Sequence, residues 1–298
     1  MERLTFMGST RNAQRRLLSS YARLEQANMR LATGRTMERA SDDPAAASRA
    51  MVLRSQQRSI ETRHRVGEDA TARLGATDVK LGEAMDSFHR ILELTVAGAN
   101  GTMSAATRTA TATVLRTLRD GLVGIANARY MGEPLFAGYS DADAVAWDAG
   151  TSTWQFTGSS GEAITRQVSD TDVVRVNLTA GEVFRTGGLD VFTALDELAA
   201  AVETNDVAGM RTGIDRLTAA RATLTGAQAT IGAMTNRVES LMRRGESMGI
   251  ALQTELSEVE DVDLAVAITD QSRLQASYQA ALGATAKSIQ SSLVDWLR

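Results

Sequence analysis

Residues Val207 to Val259 read VAGMRTGIDRLTAARATLTGAQATIGAMTNRVESLMRRGESMGIALQTELSEV, and this stretch decides the fold. Alternating steps of three and four select Val207, Met210, Ile214, Leu217, Arg221, Leu224, Gln228, Ile231, Thr235, Val238, Met242, Gly245, Gly249, Leu252, Leu256 and Val259. Eleven of these sixteen positions carry a large apolar side chain, against four of the other thirty-seven. A seven-residue repeat sustained this long marks a helix whose apolar seam keeps facing a partner. Met234, Leu241 and Met248 fall seven apart beside the seam and widen it. A widened seam suits a bundle better than a two-stranded zipper. At helical rise the stretch would reach about 80 Å, so the sequence predicts an elongated molecule organised on this rod.

A matching rod lies upstream. Ser41-Asp42-Asp43-Pro44 is a strong helix start, because a carboxylate can accept the orphan amides and proline loses nothing at the first helical position. From there Leu53, Ile60, Gly67, Leu74, Leu81, Phe88 and Thr95 mark every seventh residue. The spacing predicts a helix from Pro44 to about Ala99, long enough to run antiparallel to the first rod. Asn100-Gly101 breaks it, and Leu115, Leu118, Leu122 and Ile125 trace a third helix over residues 104–129.

Shorter helices flank the rods. Leu17, Tyr21, Leu24, Asn28 and Leu31 form a seam over residues 13–33, with Gly34 placed to end it in a left-handed cap. Asn28 within that seam can fix register at some cost in stability. Residues 1–12 show no helical phase and are expected to be mobile. The acidic run Glu258-Val-Glu-Asp-Val-Asp263 precedes a last helix with Ile268, Leu274, Tyr278, Leu282, Ile289, Leu293 and Trp296 on a broad face. Helices this short cannot bury such faces alone, so they are expected to pair.

Between the helices the period changes to two. Val145 and Trp147, Trp154 and Phe156, Ile164 to Val168, and Val174 to Leu178 alternate, separated by Gly and Asp turn signals. They predict a small antiparallel β unit over residues 138–187, inserted between helices and folding on a core of its own. Asp141 and Asp143 resemble the start of a calcium loop but lack its glycine and terminal glutamate.

Composition narrows function further. Aromatics are 4% and prolines two, while hydrophobic residues reach 43%, the balance of long helices packed through aliphatic side chains. There is no cysteine, so thiol catalysis and disulfides are excluded. The two histidines, His64 and His89, lie about seven turns apart and have no third partner for nucleophilic catalysis. No phosphate loop or cofactor motif is present, and no enzyme is expected. Residues 1–65 hold thirteen arginines against six acids, but no aromatics interleave and the whole chain is −4, so nucleic acid is not expected. No apolar run approaches membrane-spanning length, and Met1 to Asn12 lacks the apolar segment of a cleavable secretion signal.

Three local runs carry a resemblance. Leu31-Ala-Thr-Gly-Arg-Thr-Met-Glu-Arg-Ala-Ser-Asp-Asp-Pro-Ala-Ala-Ala47 is similar to the post-helix signature of the flagellin superfamily, in the Asp-Asp-Pro form of its junction members rather than that of filament flagellins. Gly132-Glu-Pro-Leu-Phe-Ala-Gly138 resembles the family's crossover from helix to insert. Asp263-Leu-Ala, Gln275 to Ala281 and Ser291 to Leu297 resemble the C-terminus of those junction members, with Trp296 where Tyr or Phe is usual. The resemblance spans the whole chain, the β insert by position more than by residue.

It implies a mainly α protein of elongated antiparallel rods, with terminal coiled-coil helices and a small inserted antiparallel β domain. Residues 1–40 and 260–298 would be the terminal helices, 41–137 and 188–259 the rod domain, and 138–187 the insert. The implied role is structural: a ring of copies joining a hook-side junction protein to flagellin, exported through the flagellar channel with a chaperone before secretion, and located outside the cell. No cofactor or metal is implied. The implied assembly interface is Leu17, Tyr21, Leu24, Asn28, Leu31, Tyr278, Leu282, Ile289, Leu293 and Trp296. A filament flagellin, a non-flagellar coiled-coil scaffold or basic-arm nucleic-acid binder, and an enzyme carried on the insert remain the alternatives.

Overall fold

In the computed structural model the backbone is described for residues 2–37, 39–99, 103–158 and 162–296, and side chains for 11–37, 39–99, 103–158 and 162–286. The chain divides into two compact units, residues 1–59 with 248–298, and residues 60–247. Two long helices contribute to both: α2, Pro44–Ala99, and α6, Val207–Glu260.

The first unit holds α1, Glu2–Thr33, and α7, Leu264–Trp296, with the adjoining parts of α2 and α6. Helix α1 begins at Glu2, eleven residues before the expected start, so residues 2–12 are helical and not the loose arm that their lack of apolar phase suggested. The stop is where the glycine placed it. Gly34 takes φ +68°, open to glycine without steric cost, and its N–H donates to Arg30 O at 2.9 Å. Asp43 caps α2 by accepting the N–H groups of Ala45 and Ala46 at 3.1 and 3.0 Å. Asp263 caps α7 alike, through Ala265 at 2.9 Å and Val266 at 3.2 Å.

The two connectors then meet. Val262 N–H donates to Gly34 O at 2.9 Å, Thr36 N–H donates to Glu260 O at 2.7 Å, and Arg54 pairs with Glu260 at 2.6 Å. The acidic run therefore works as a clamp partner for the post-helix turn as well as a helix start.

The second unit packs α3, Ala105–Ala126, and α5, Val191–Thr204, against the remaining lengths of α2 and α6. Every seventh residue of the α2 seam from Gly67 to Thr95 is buried. On α6, Met210, Leu217, Leu224, Ile231 and Val238 are buried as expected. Beside them Gly213, Ala220, Ala227, Met234 and Leu241 repeat every seven residues, so the widened seam runs on in small side chains. Small residues there let elements close in: a Cβ at Gly213 would lie 2.6 Å from Leu198 Cδ1 of α5.

Among the described residues the strands form four separate two-stranded antiparallel ribbons. β3, Val145–Asp148, pairs with β4, Thr153–Phe156, with Trp147 opposite Trp154. β5, Thr165–Gln167, pairs with β6, Val173–Arg175. Two minimal ribbons lie outside the expected strands: β1, Arg129–Tyr130, with β2, Glu133–Pro134, and β7, Arg185–Thr186, with β8, Leu189–Asp190. A five-residue helix α4, Ala180–Phe184, starts at a Thr179–Glu182 capping box.

These ribbons do not enclose a core of their own. Val145, Trp154, Ile164, Val168, Val174, Val176 and Leu178 belong to one cluster with Leu74, Phe88, Leu115, Leu198 and Leu224 of the helices. Aromatic rings bind the layers: Phe192 of α5 lies 5.4 Å from Trp154, 6.0 Å from Phe156 and 5.5 Å from Phe184. Asn127 closes α3 onto β3 by accepting Val145 N–H and donating to Val145 O, both at 2.8 Å. Arg119 lies over the Trp154 ring at 5.5 Å and pairs with Asp196, which also accepts the Trp154 indole N–H at 3.2 Å.

Candidate assembly interface

Helices α1 and α7 pack against each other within one chain. On α1 the half-buried row includes Leu17, Leu24, Asn28 and Leu31. On α7 it is Ala267, Gln271, Leu274, Tyr278, Ala281 and Thr285, again alternating four and three. Two contacts fix their register. Gln271 Nε2 donates to Asn28 Oδ1 at 3.2 Å, and the Tyr21 and Tyr278 rings stand 5.7 Å apart. The polar residue in the first seam thus has a polar partner on the last helix. A shift along the pair would strand both amides, so the contact selects one alignment.

The expected interface residues fall into three groups. Leu17, Leu24, Asn28, Leu31 and Tyr278 lie in the paired rows, with Tyr21 at their edge, 47% exposed. Leu282 is one position off the α7 row and 43% exposed. The side chains of Ile289, Leu293 and Trp296 lie outside the described residues. From Leu282, steps of seven lead to Ile268 in one direction and to Ile289 and Trp296 in the other, a line distinct from the Ala267–Leu274–Ala281 row. Among the described residues α7 therefore carries two lines, one against α1 and one, Ile268 and Leu282, left exposed. Hydrophobicity alone merged them into one broad face. The four–three spacing of Ala267, Gln271, Ala281 and Thr285 could have separated them, but those residues are small or polar and pass beneath an apolar count.

The uncovered line is part of a wider feature. Leu18 and Met29 on α1, Leu264, Val266, Ile268 and Leu282 on α7, Met51 and Val52 on α2, and Met248 and Ile250 on α6 are all exposed. With Tyr21, the first unit holds eleven of the eighteen large exposed hydrophobic residues among those described, although it is the smaller of the two.

Comparison with known sequences decides the kinship. The bacterial flagellin N-terminal helical region matches residues 7–141, and the bacterial flagellin C-terminal helical region matches residues 214–297. The chain belongs to the bacterial flagellin family. Flagellar hook-associated protein 3 of Escherichia coli is 27% identical over 300 residues, covering 89% of this chain and 92% of that protein. The Salmonella typhimurium protein of the same name is 25% identical over 299 residues, covering 88% and 90%. Among solved structures, a flagellar hook-associated protein from Vibrio parahaemolyticus superposes with a TM-score of 0.69 at 22% identity, over 74% of this chain and 100% of that one. Xanthomonas campestris FlgL gives 0.60 at 18% identity, over 67% and 98%. These likenesses confirm the mainly helical flagellin-type fold.

Among the described residues no three His, Cys, Asp or Glu side chains are placed to hold a metal ion. His64 lies 3.5 Å from Glu68 on its own helix, and His89 is exposed. Arg129 ties down the loop of Asp141 and Asp143, donating to the backbone carbonyl of Asp141 at 2.8 Å and approaching the Asp143 carboxylate at 3.4 Å. Within the described residues no helix is long and apolar enough to cross a membrane.

Proposed function

We propose that this protein is a structural subunit of the hook–filament junction of the bacterial flagellum, assembling with copies of itself through the first unit. The observation that carries this reading is the apolar surface left on α1, α7, and the adjoining ends of α2 and α6 after α1 and α7 have paired. An exposed surface of this extent costs free energy in water and marks a contact with another protein. Its partner in a ring is the same surface region on a neighbouring copy, and the interface residues are Leu17, Tyr21, Leu24, Asn28, Leu31, Tyr278, Leu282, Ile289, Leu293 and Trp296. The first five with Tyr278 set the geometry of each helix pair, and Leu282, Ile289, Leu293 and Trp296 provide the line that meets the neighbour. On one side the ring meets flagellin, on the other the hook-side junction protein.

The chain reaches this place outside the cell through the flagellar export channel, accompanied first by a chaperone. The relatives named hook-associated protein 3 and the Asp42-Asp43-Pro44 signature favour the junction over the filament. Imaging the labelled protein on intact cells tests the reading directly. One band at the distal end of each hook is expected. Label distributed along the filament would assign the chain to the filament instead, and label confined to the cytoplasm would remove it from the flagellum.

A further inference from the structure

The loop closing the β5–β6 ribbon reaches both long helices of the second unit through charge. Asp170 pairs with Arg63 of α2, and Arg166 Nε lies 4.0 Å from Asp69 of the same helix. On the other side Asp172 lies 3.4 Å from Arg237 of α6, with Arg244 adding a second positive field from that helix. We propose that the tip of this ribbon, Ser169 to Asp172, is an electrostatic strap across α2 and α6, released by salt while both helices and the buried flanks Val168 and Val174 stay in place.

Three features set the strap apart from ordinary surface pairing. It lies at a close contact of the two helices: a Cβ at Gly67 of α2 would stand 2.7 Å from Met242 Cγ of α6 and 3.4 Å from Val168 Cγ1 of the loop. The loop is also internally stiff. Ser169 Oγ donates to Asp172 Oδ2 at 2.9 Å and accepts Asp172 N–H at 2.9 Å, and Val168 N–H donates to Asp172 O at 3.2 Å. Its carboxylates are thus presented to the arginines in a fixed arrangement. Third, no side chain from Ser169 to Val173 is buried, Val168 and Val174 on either side being the ones that reach the core, so little apolar surface secures the tip itself. Charge does most of the holding, and charge at the surface is screened within about 8 Å at physiological ionic strength.

Acid is a weaker lever than salt. The Ser169 hydroxyl, then Thr171, Arg244 and Arg237, hold the Asp172 carboxyl below its ordinary value against a smaller opposing effect of desolvation. A depressed value means that Asp172 contributes stability above its unfolded value of about 3.9, lost only as the pH falls through the lower folded value. The other charged groups facing the loop are Arg63 and Asp69 of α2 and Arg237 and Arg244 of α6. His64 of α2 lies against Glu68.

Hydrogen exchange of the full chain tests the strap. Between about 0.05 M and about 1 M salt, where the screening length falls to about 3 Å, exchange at Thr171 and Asp172 should accelerate on the order of tenfold. Amides in α2 and α6 should not change. Arg63→Glu with Arg237→Glu removes the helix partners without altering the loop's own residues and should give the fast exchange at low salt, and adding Asp170→Arg to Arg63→Glu should restore protection. Salt-independent protection, or full protection in the variant carrying Arg63→Glu and Arg237→Glu, would show that Val168 alone holds the loop. Loss of helix and loop protection together would make the ribbon part of the helical core. Either result overturns the proposal.

Discussion

Replacing Leu282 and Leu274 of α7 in turn by aspartate separates the two apolar lines of that helix. Leu274 faces α1 in the half-buried row, so an aspartate there puts a carboxylate against apolar side chains of the same chain. A change of this kind costs about 1–3 kcal/mol in the free subunit, and the first unit should melt earlier. Leu282 is 43% exposed. Full burial of leucine yields about 1.5–3 kcal/mol, so the part still exposed leaves about 0.6–1.3 kcal/mol for association. Aspartate forfeits that gain and must also shed water in any apolar contact, at several kcal/mol. The self-association constant should therefore fall on the order of a hundredfold or more, with the melting temperature hardly moved. Sedimentation of purified protein reads the first quantity and calorimetry the second. In cells, Leu282→Asp should leave hooks intact but without filaments. Equal loss of melting temperature in both variants would place Leu282 in the subunit's own core. Unchanged assembly of Leu282→Asp would refute the division of α7 into an inner and an outer line.

Other consequences are as direct. Asn28→Leu should leave the Gln271 amide without its partner, and chemical cross-linking of α1 to α7 should then report more than one alignment of the pair. Gly67→Ala should cost about 1–3 kcal/mol, the range for overpacking, and Met242→Ala should recover part of it, since Met242 Cγ is the atom in the way; a melt of the double variant checks this. Glu182 supplies a pH signature: burial alone would raise its pKa, but the Arg175 hydrogen bonds, then Thr179 N–H, overcome this and hold it below the ordinary value. Its contribution is present above the unfolded value of about 4.3 and disappears as the pH falls through the lower folded value, so Glu182→Gln should flatten the acid limb of a stability–pH curve. Exchanging residues 138–187 for a Gly/Ser linker removes Trp154 and Phe184 from against Phe192, and the second unit should lose cooperative melting; a sharp melt near the parent temperature would show that the insert is dispensable.

Long-range periodicity made the helices legible. Leu74, Leu81 and Phe88, or Leu217, Leu224 and Ile231, repeat often enough that no local propensity can override them. Gly34 and Asp43-Pro44 were legible because their caps answer a need of the backbone itself. The paired strands around Trp147 and Trp154 followed from alternation. What escaped depends on tertiary context. Residues 2–12 contain Gly8 and polar neighbours that give no phase, yet they extend a helix already nucleated at the Leu17 seam. The β1–β2 turn at Met131, with φ +50°, carries no usual turn residue at that position. The insert's dependence on Phe192 and Leu198 was hidden because two-stranded ribbons gain stability only against a surface supplied from elsewhere in the chain. At the candidate interface the same limit applied, since Gln271 and Ala281 become informative only once Asn28 is seen opposite.

The Asn28–Gln271 contact also imposes an order on folding. Its two residues are 243 positions apart, so α1 leaves the ribosome long before α7 exists to receive it. Closing so wide a loop is slow, and a helix without its partner holds little structure meanwhile. Residues 60–247 need nothing beyond α6 and can collapse first. The first unit must therefore fold last, and a ligand or chaperone that holds α7 away from α1 would keep it open while the second unit is already complete.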